Sequence, residues 1–119
     1  MSYEVILVRK EVKENQTAED FGELLENEER ILPFTQEQRA HLKNAMQARG
    51  YKIVLDTPEE TEFEYEEETA SALLTRHALY LEASGDGAFE ISLAASELAD
   101  TDEFAKYDPQ NGGWEEAQE

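Results

Sequence analysis

The chain of 119 residues contains no cysteine, three prolines, six glycines and only ten lysine or arginine residues. The absence of thiols excludes disulfides, thiolate nucleophiles, iron–sulfur clusters and zinc sites of the cysteine type. The strongly apolar run near the start, Val5-Ile6-Leu7-Val8, is too short for a secretion signal or a membrane-spanning helix. We therefore expect a cytoplasmic protein that does not contact a membrane.

Acidic residues are what the chain has in excess. Twenty-nine Asp and Glu residues against ten Lys and Arg give a formal net charge of −19. A field of this sign repels phosphate groups, which disfavours direct binding to nucleic acid or to anionic lipid and favours basic partners. The length suits one domain, and a hydrophobic content of 39% is enough for the chain to fold despite its charge.

The first part of the chain has the pattern of a strand followed by two helices. Residues 3–9 form a β-branched apolar run that is typical of a buried strand. Helical spacing over residues 17–32 predicts a first helix. Thr35 predicts the N-cap of a second helix because Gln38 completes a capping box, and Gly50 stands where a left-handed residue ends such a helix.

After Gly50 the hydrophobic period changes from 3.6 to 2, which predicts strands. Residues 94–99 fit either a continuing strand or a short helix, Trp114 is expected to fold back onto the core, and residues 115–119 to fray. The expected strands and turn are 51–55, 62–66, one long strand over 73–82, a hairpin turn at 84–87, and strands at 89–93 and 104–107.

This order of elements predicts one α+β domain over residues 1–119. Two helices would pack on one face of a mostly antiparallel sheet of about five to six strands.

The charge is distributed unevenly along the chain. Residues 1–55 hold 10 acids and 8 bases, net −2, whereas residues 56–119 hold 19 acids and only Arg76 and Lys106, net −17. Solubility requires a net charge of only about 2 to 8 in magnitude, and adaptation to high salt would spread acid over both halves. A solvated loop over residues 59–68 remains an alternative, although Phe63 and Tyr65 alternate with glutamate as in a strand.

A strand over residues 62–66 would project Glu62, Glu64 and Glu66 from one face, about 7 Å apart. A DNA strand presents a phosphate every ~3.4 Å, so neighbouring elements must add carboxylates to match a duplex. The predicted partner-binding residues are Glu59, Glu60, Glu62, Glu64, Glu66, Glu82, Glu90, Asp100, Asp102 and Glu103.

The length, the charge, the missing cysteines and the opening Met1-Ser2-Tyr3-Glu4-Val5-Ile6-Leu7-Val8-Arg9-Lys10 resemble the small bacterial DNA-mimic proteins. That class shares acidity rather than a fold, and one member of similar size is understood to bind the histone-like nucleoid protein HU. The resemblance implies a basic, dimeric, HU-like partner whose arms carry Lys and Arg, and competition with DNA for that partner.

No catalytic motif stands out, and His41 and His77 are expected to be structural or surface residues. We therefore expect no enzyme activity, no cofactor and no metal. One alternative is an immunity-type inhibitor of a basic nuclease toxin. Another is a small hydrolase or cation-binding protein that uses the cluster at residues 100–103. Asp86 is a separate candidate ligand for a hard cation such as Ca²⁺. The acidic sheet face would repel its own copy, so we expect a monomer or a weak homodimer that pairs through the near-neutral half.

Overall fold

A computed structural model of the chain describes residues 2–15, 31–65, 70–84, 87–99, 104–108 and 113–114. These residues form three helices, α1 Lys10–Asn15, α2 Gln36–Ala48 and α3 Gly87–Ala99. The strands are β1 Ser2–Arg9, β2 Lys52–Asp56, β3 Thr61–Tyr65, β4 Ala70–Leu74, β5 Leu79–Ser84, β6 Phe104–Asp108 and the two-residue β7 Gly113–Trp114. The helix predicted over residues 17–32 lies almost entirely outside the described residues.

All strands belong to one antiparallel sheet with the order β2-β3-β4-β5-β1-β6-β7. The apolar first strand lies inside the sheet between β5 and β6, which explains its run of Val, Ile and Leu. The short strand β2 forms one edge, and its pairing with β3 shifts register between Ile53 and Leu55. The α+β class and the antiparallel sheet predicted from the sequence are confirmed.

Helix α2 begins and ends where its sequence signals predict. The Thr35 hydroxyl accepts a hydrogen bond from the Gln38 backbone N–H at 3.0 Å, and the Gln38 side chain accepts one from the Thr35 N–H at 2.9 Å. At the other end Gly50 has φ 104°, a conformation that side-chain-bearing residues rarely adopt. A Cβ on Gly50 would also lie 3.4 Å from the Tyr65 ring.

Two apolar clusters cover opposite faces of the sheet. The larger one packs Leu42 and Met46 of α2 and Ile91 and Leu98 of α3 against the inner face, around Phe63 and the other core residues of the sheet. The smaller one lies on the outer face under α1 and consists of Ile6, Val8, Val12, Ile31, Ala78 and Tyr107. Among the described residues, the outer face is therefore covered at one end and open at the other.

The prediction of one long strand over residues 73–82 is wrong. Strands β4 and β5 form a hairpin joined at Thr75–Ala78, where the Thr75 N–H donates to the Ala78 carbonyl at 2.9 Å. The Thr75 hydroxyl accepts from the His77 and Ala78 N–H groups at 3.2 and 3.1 Å. A threonine side chain thus makes the turn, and no Gly, Pro or Asn marks it in the sequence.

The prediction of a hairpin at residues 84–87 followed by a strand at 89–93 is also wrong. Gly87 opens helix α3, which continues to Ala99. Its buried positions, Ile91, Ala94, Ala95 and Leu98, follow helical spacing. The alternating pair Phe89 and Leu93 that suggested a strand is 76% and 43% exposed. The ambiguous residues 94–99 belong to this helix.

The remaining short elements agree with the sequence at their centres. Strand β6 confirms the prediction at 104–107, and β2 and β3 confirm those at 51–55 and 62–66 over their described residues. Trp114 pairs with Tyr107 through β7, while residues 115–119 lie outside the described residues. Within the described part of the chain, no helix is long and apolar enough to cross a membrane.

Candidate functional site

The candidate site is the open end of the outer sheet face. Strand alternation creates it on β3, where Phe63 is 2% exposed in the core while Glu62 and Glu64 point to the other side. The same alternation on β1 buries Val5 and leaves Glu4 on the outer face. This end of the face lies beyond the cover that α1 and Ile31 provide elsewhere.

The strand register places three carboxylates in one row across the sheet. Glu4 of β1 lies opposite Glu82 of β5, Glu82 lies opposite Ser71 of β4, and Ser71 lies opposite Glu64 of β3. Neighbouring strands are about 4.8 Å apart, so Glu4 and Glu82 are adjacent and Glu64 lies about 10 Å from Glu82. We call Glu4, Glu82, Ser71 and Glu64 the acidic row.

A second row runs beside the acidic row, two residues further along each strand. Tyr80 lies opposite Leu73, and Leu73 lies opposite Glu62, which faces Leu55 on the edge strand. The rows are about 7 Å apart. We call Tyr80, Leu73, Leu55 and the neighbouring Val54 the apolar strip. Val54 and Leu55 are 59% and 41% exposed, and Tyr80 and Leu73 are half-buried.

Together the two rows border a depression of about 580 Å³. Among the described residues that line it there are four glutamates and no lysine, arginine or histidine. The nearest cation by register is Lys52, opposite Glu64 at the edge of the sheet. The lining residues are Glu4, Val54, Glu62, Phe63, Glu64, Ser71, Ala72, Leu73, Tyr80 and Glu82.

The acidic row carries an electrostatic cost. Burial raises the pKa of the Glu4 carboxyl above 4.5, and the adjacent charge of Glu82 raises it further. Both effects oppose ionisation of Glu4, since desolvation disfavours a charge and a like charge repels it. The folded chain therefore holds Glu4 and Glu82 together at the expense of stability.

Several acids elsewhere in the described structure form ion pairs with Lys or Arg. Arg49 at the end of α2 binds Glu90 at 3.0 Å and also binds Glu97, which ties α2 to α3. Lys43 binds Asp56 at 2.6 Å, and the Asp56 carboxyl also accepts from the Thr61 hydroxyl at 2.9 Å. Hydrogen bonds from Lys43 and Thr61 hold the pKa of Asp56 below 3.8.

The structure brings together only some of the predicted partner-binding residues. Glu62, Glu64 and Glu82 share the open outer face. Glu59 and Glu60 lie in the turn between β2 and β3, where Glu59 is 3.7 Å from Arg76. Glu90 lies on α3 in the helix layer, paired with Arg49. Glu66, Asp100, Asp102 and Glu103 lie outside the described residues.

Glu4 is the member of the site that the sequence prediction missed. It sits inside an apolar strand, at the one position of residues 4–8 that is not hydrophobic. A glutamate interrupting a buried strand is a signal that its side of the strand reaches solvent. This signal is present in the sequence, but the pairing of Glu4 with Glu82 depends on the order of the strands in the sheet.

The two histidines have structural contacts. The His77 Nδ1 is 2.7 Å from the Ile31 carbonyl, and the His41 ring stacks on Phe104 with centroids 6.2 Å apart. In the described ranges, no group of three or more His, Asp or Glu side chains could hold a metal ion. Asp86 and residues 100–103, the candidate cation ligands, lie outside those ranges.

Comparison with protein-family models, with curated proteins and with solved structures found no match.

Proposed function

We propose that the protein is a cytoplasmic, non-enzymatic binding protein that occupies a basic DNA-binding protein and competes with DNA for it. The observation that carries the proposal is the depression on the outer face, where Glu4, Glu62, Glu64 and Glu82 converge without a cation among the described lining residues. The resemblance to DNA-mimic proteins supplies an HU-like nucleoid protein as the example of such a partner.

The spacing of the carboxylates supports the proposal. Glu4 and Glu82 are one strand apart, about 4.8 Å, and Glu62 and Glu64 are two residues apart along β3, about 7 Å. A duplex presents its phosphates every ~3.4 Å along each strand. The surface is sparser than DNA, but its four glutamates line one depression, so Lys and Arg side chains would meet carboxylates from β1, β3 and β5.

The like-charge pair on the outer face also supports the proposal. At Glu4 and Glu82, two acids lie directly opposite each other, an arrangement that destabilises a sheet. A charge that costs stability is explained if its role is to attract a partner.

A DNA-competition experiment tests the proposal. A fluorescently labelled duplex is bound to a purified HU-type protein, and the chain is added while fluorescence anisotropy reports the bound DNA. We expect displacement that weakens steeply as salt rises, because exposed charges are screened. The charge-reversal variant Glu64→Lys should displace DNA far less well than its matched control Glu37→Lys, which reverses an exposed acid in the first turn of α2.

Equal losses from Glu64→Lys and Glu37→Lys would show that only total charge matters and would remove the outer face as the site. No displacement from any basic DNA-binding protein would remove the function. Capture of a nuclease toxin from a nuclease-treated native lysate, retained at near-molar salt, would favour the immunity-type alternative instead. That alternative uses the same electrostatics with a different partner.

A further inference from the structure

The apolar strip beside the acidic row has no role in pure charge mimicry. Leu73 and Tyr80 form a cross-strand pair on the outer face, and both line the depression together with Val54. The phosphate backbone of DNA offers no counterpart to exposed aliphatic side chains. An apolar surface that is bordered by charged groups is typical of a protein–protein contact.

The two rows impose a fixed spacing on anything that binds there. Along β5, Glu82 and Tyr80 are two residues apart, and along β4 the same holds for Ser71 and Leu73. Charged and apolar positions are therefore about 7 Å apart, measured along the strands. Ser71, with its small side chain between Glu82 and Glu64, leaves room above the row for a long cationic side chain.

We propose that the depression binds a cationic segment carrying an aliphatic or aromatic side chain about 7 Å from its Lys or Arg residues. The apolar side chain lies on Leu73 and Tyr80, while the cations face Glu64 and Glu82. The inference rests on the proposed function because it concerns the same surface, and it assigns the chemistry that the partner must present.

The two kinds of contact respond differently to salt. At molar ionic strength the attraction between exposed charges is screened beyond a distance of about 3 Å. The burial of apolar surface does not depend on this screening. Removing a carboxylate should therefore weaken binding mainly at low salt. Removing the apolar strip should weaken binding by the same factor at all salt concentrations.

The experiment measures binding of two synthetic peptides of identical composition by isothermal titration calorimetry in a salt series. In the first peptide arginine and leucine alternate with one spacer residue between them, so that their side chains fall about 7 Å apart in an extended chain. In the second peptide the leucines are grouped at one end. We expect the alternating peptide to bind more tightly.

Two pairs of protein variants complete the test. Leu73→Gln should reduce affinity for the alternating peptide about fivefold at every salt concentration, the loss expected for one uncovered aliphatic contact. Its matched control is Leu93→Gln, which changes an exposed leucine on α3 and should leave affinity unchanged. Glu64→Gln should reduce affinity at low salt and flatten the salt dependence, and Glu37→Gln is its control.

Circular dichroism and thermal melts test whether each variant is folded. Leu73→Thr replaces Leu73→Gln if the latter unfolds, because threonine suits a strand. Equal binding of the two peptides, or an effect of Leu73→Gln no larger than that of Leu93→Gln, would overturn the inference. In that case the stems of Lys and Arg alone cover the strip.

The result is separable from the proposed function. If Leu73→Gln displaces DNA from a basic protein as well as the unchanged chain does, the function is retained and the apolar contact is refuted. Binding of the alternating peptide with the expected salt responses, but no displacement of DNA, would retain the contact and refute the function.

Discussion

Replacing Glu82 by glutamine should make the protein more stable. Glu82 lies opposite Glu4 in the β1–β5 pairing, and the two like charges oppose folding. Glutamine keeps the size and hydrogen-bonding capacity of the side chain but removes its charge. The variant thus isolates the repulsion from the packing of the outer face.

The size of the effect follows from the register. Directly opposed side chains have Cβ atoms about 5 Å apart, so the carboxylates are separated by about 5 to 6 Å. Coulomb's law gives about 0.7 kcal/mol at that distance in water and about 3 kcal/mol at an effective dielectric constant of 20. Since Glu82 is exposed, the value lies near the water limit. We expect a gain of about 0.5–1 kcal/mol, in the range measured for cross-strand pairs.

Urea denaturation at low ionic strength measures this gain, and a double-mutant cycle with Glu4→Gln isolates the pair term. The pKa of Glu4 is raised in the folded chain, first by burial and then by Glu82, so the folded state binds a proton more readily than the unfolded state. The Glu4 penalty is therefore greatest at neutral pH and declines as pH falls through the raised pKa of Glu4 towards the ordinary glutamate value of 4.5. The advantage of Glu82→Gln should shrink over the same range.

Two outcomes would contradict this reasoning. A loss of stability in Glu82→Gln at neutral pH would mean that the carboxylate makes a favourable contact. A coupling energy of zero in the cycle would mean that solvent screens the pair completely. Addition of molar salt provides an internal check, because it should remove most of the gain that is present at low salt.

Two further predictions concern helix α2 and the edge strand β2. Thr35→Ala removes the hydroxyl that caps α2 and should lower the free energy of unfolding by about 1 kcal/mol. A lower midpoint in a thermal melt measures this loss, and Thr57→Ala, which removes a hydroxyl from a turn, serves as the comparison. Asp56→Asn should lower the melting temperature at neutral pH, because hydrogen bonds from Lys43 and Thr61 hold the pKa of Asp56 low in the folded chain. That contribution is lost as pH falls below about 3.8, so the two proteins should converge there, and a constant difference would contradict it.

The helices and strands that the sequence predicts correctly are those whose signals are local. The capping box of α2 requires only Thr35 and Gln38. The positive φ after the helix requires only Gly50, which has no Cβ. Strand β3 is recognisable because Phe63 alternates with Glu62 and Glu64. In each case the residues that identify the element in the sequence also form its capping hydrogen bonds or its buried face.

The two wrong predictions arise where a local pattern competes with tertiary packing. Over residues 89–93 the apolar side chains alternate as in a strand, yet Phe89 and Leu93 end up exposed. The spacing that matters is that of Ile91, Ala94, Ala95 and Leu98, and alanine is the strongest helix former. At Thr75 a hydroxyl forms the turn, and hydroxyl turns lack the glycine or proline by which turns are usually recognised.

The sequence predicts that the candidate site is acidic, but it does not predict all of the residues that form the site. The distribution of charge identifies the second half of the chain as the acidic part, and the alternation along β3 identifies Glu62 and Glu64 as residues of one face. Glu4 and Glu90 show why the rest required a structure. Glu4 joins the site because β1 inserts beside β5, and Glu90 leaves it because α3 places that carboxylate against Arg49.

The arrangement of charge gives the strongest reason to look for a partner. If the acids served only solubility, like charges would be spaced apart on the surface. In the described residues Glu4 and Glu82 instead lie directly opposite each other, and Glu62 and Glu64 line the same depression. Stability and attraction therefore conflict at Glu82. A substitution there that stabilises the free chain while weakening its hold on a basic protein would show that the acidic row serves binding.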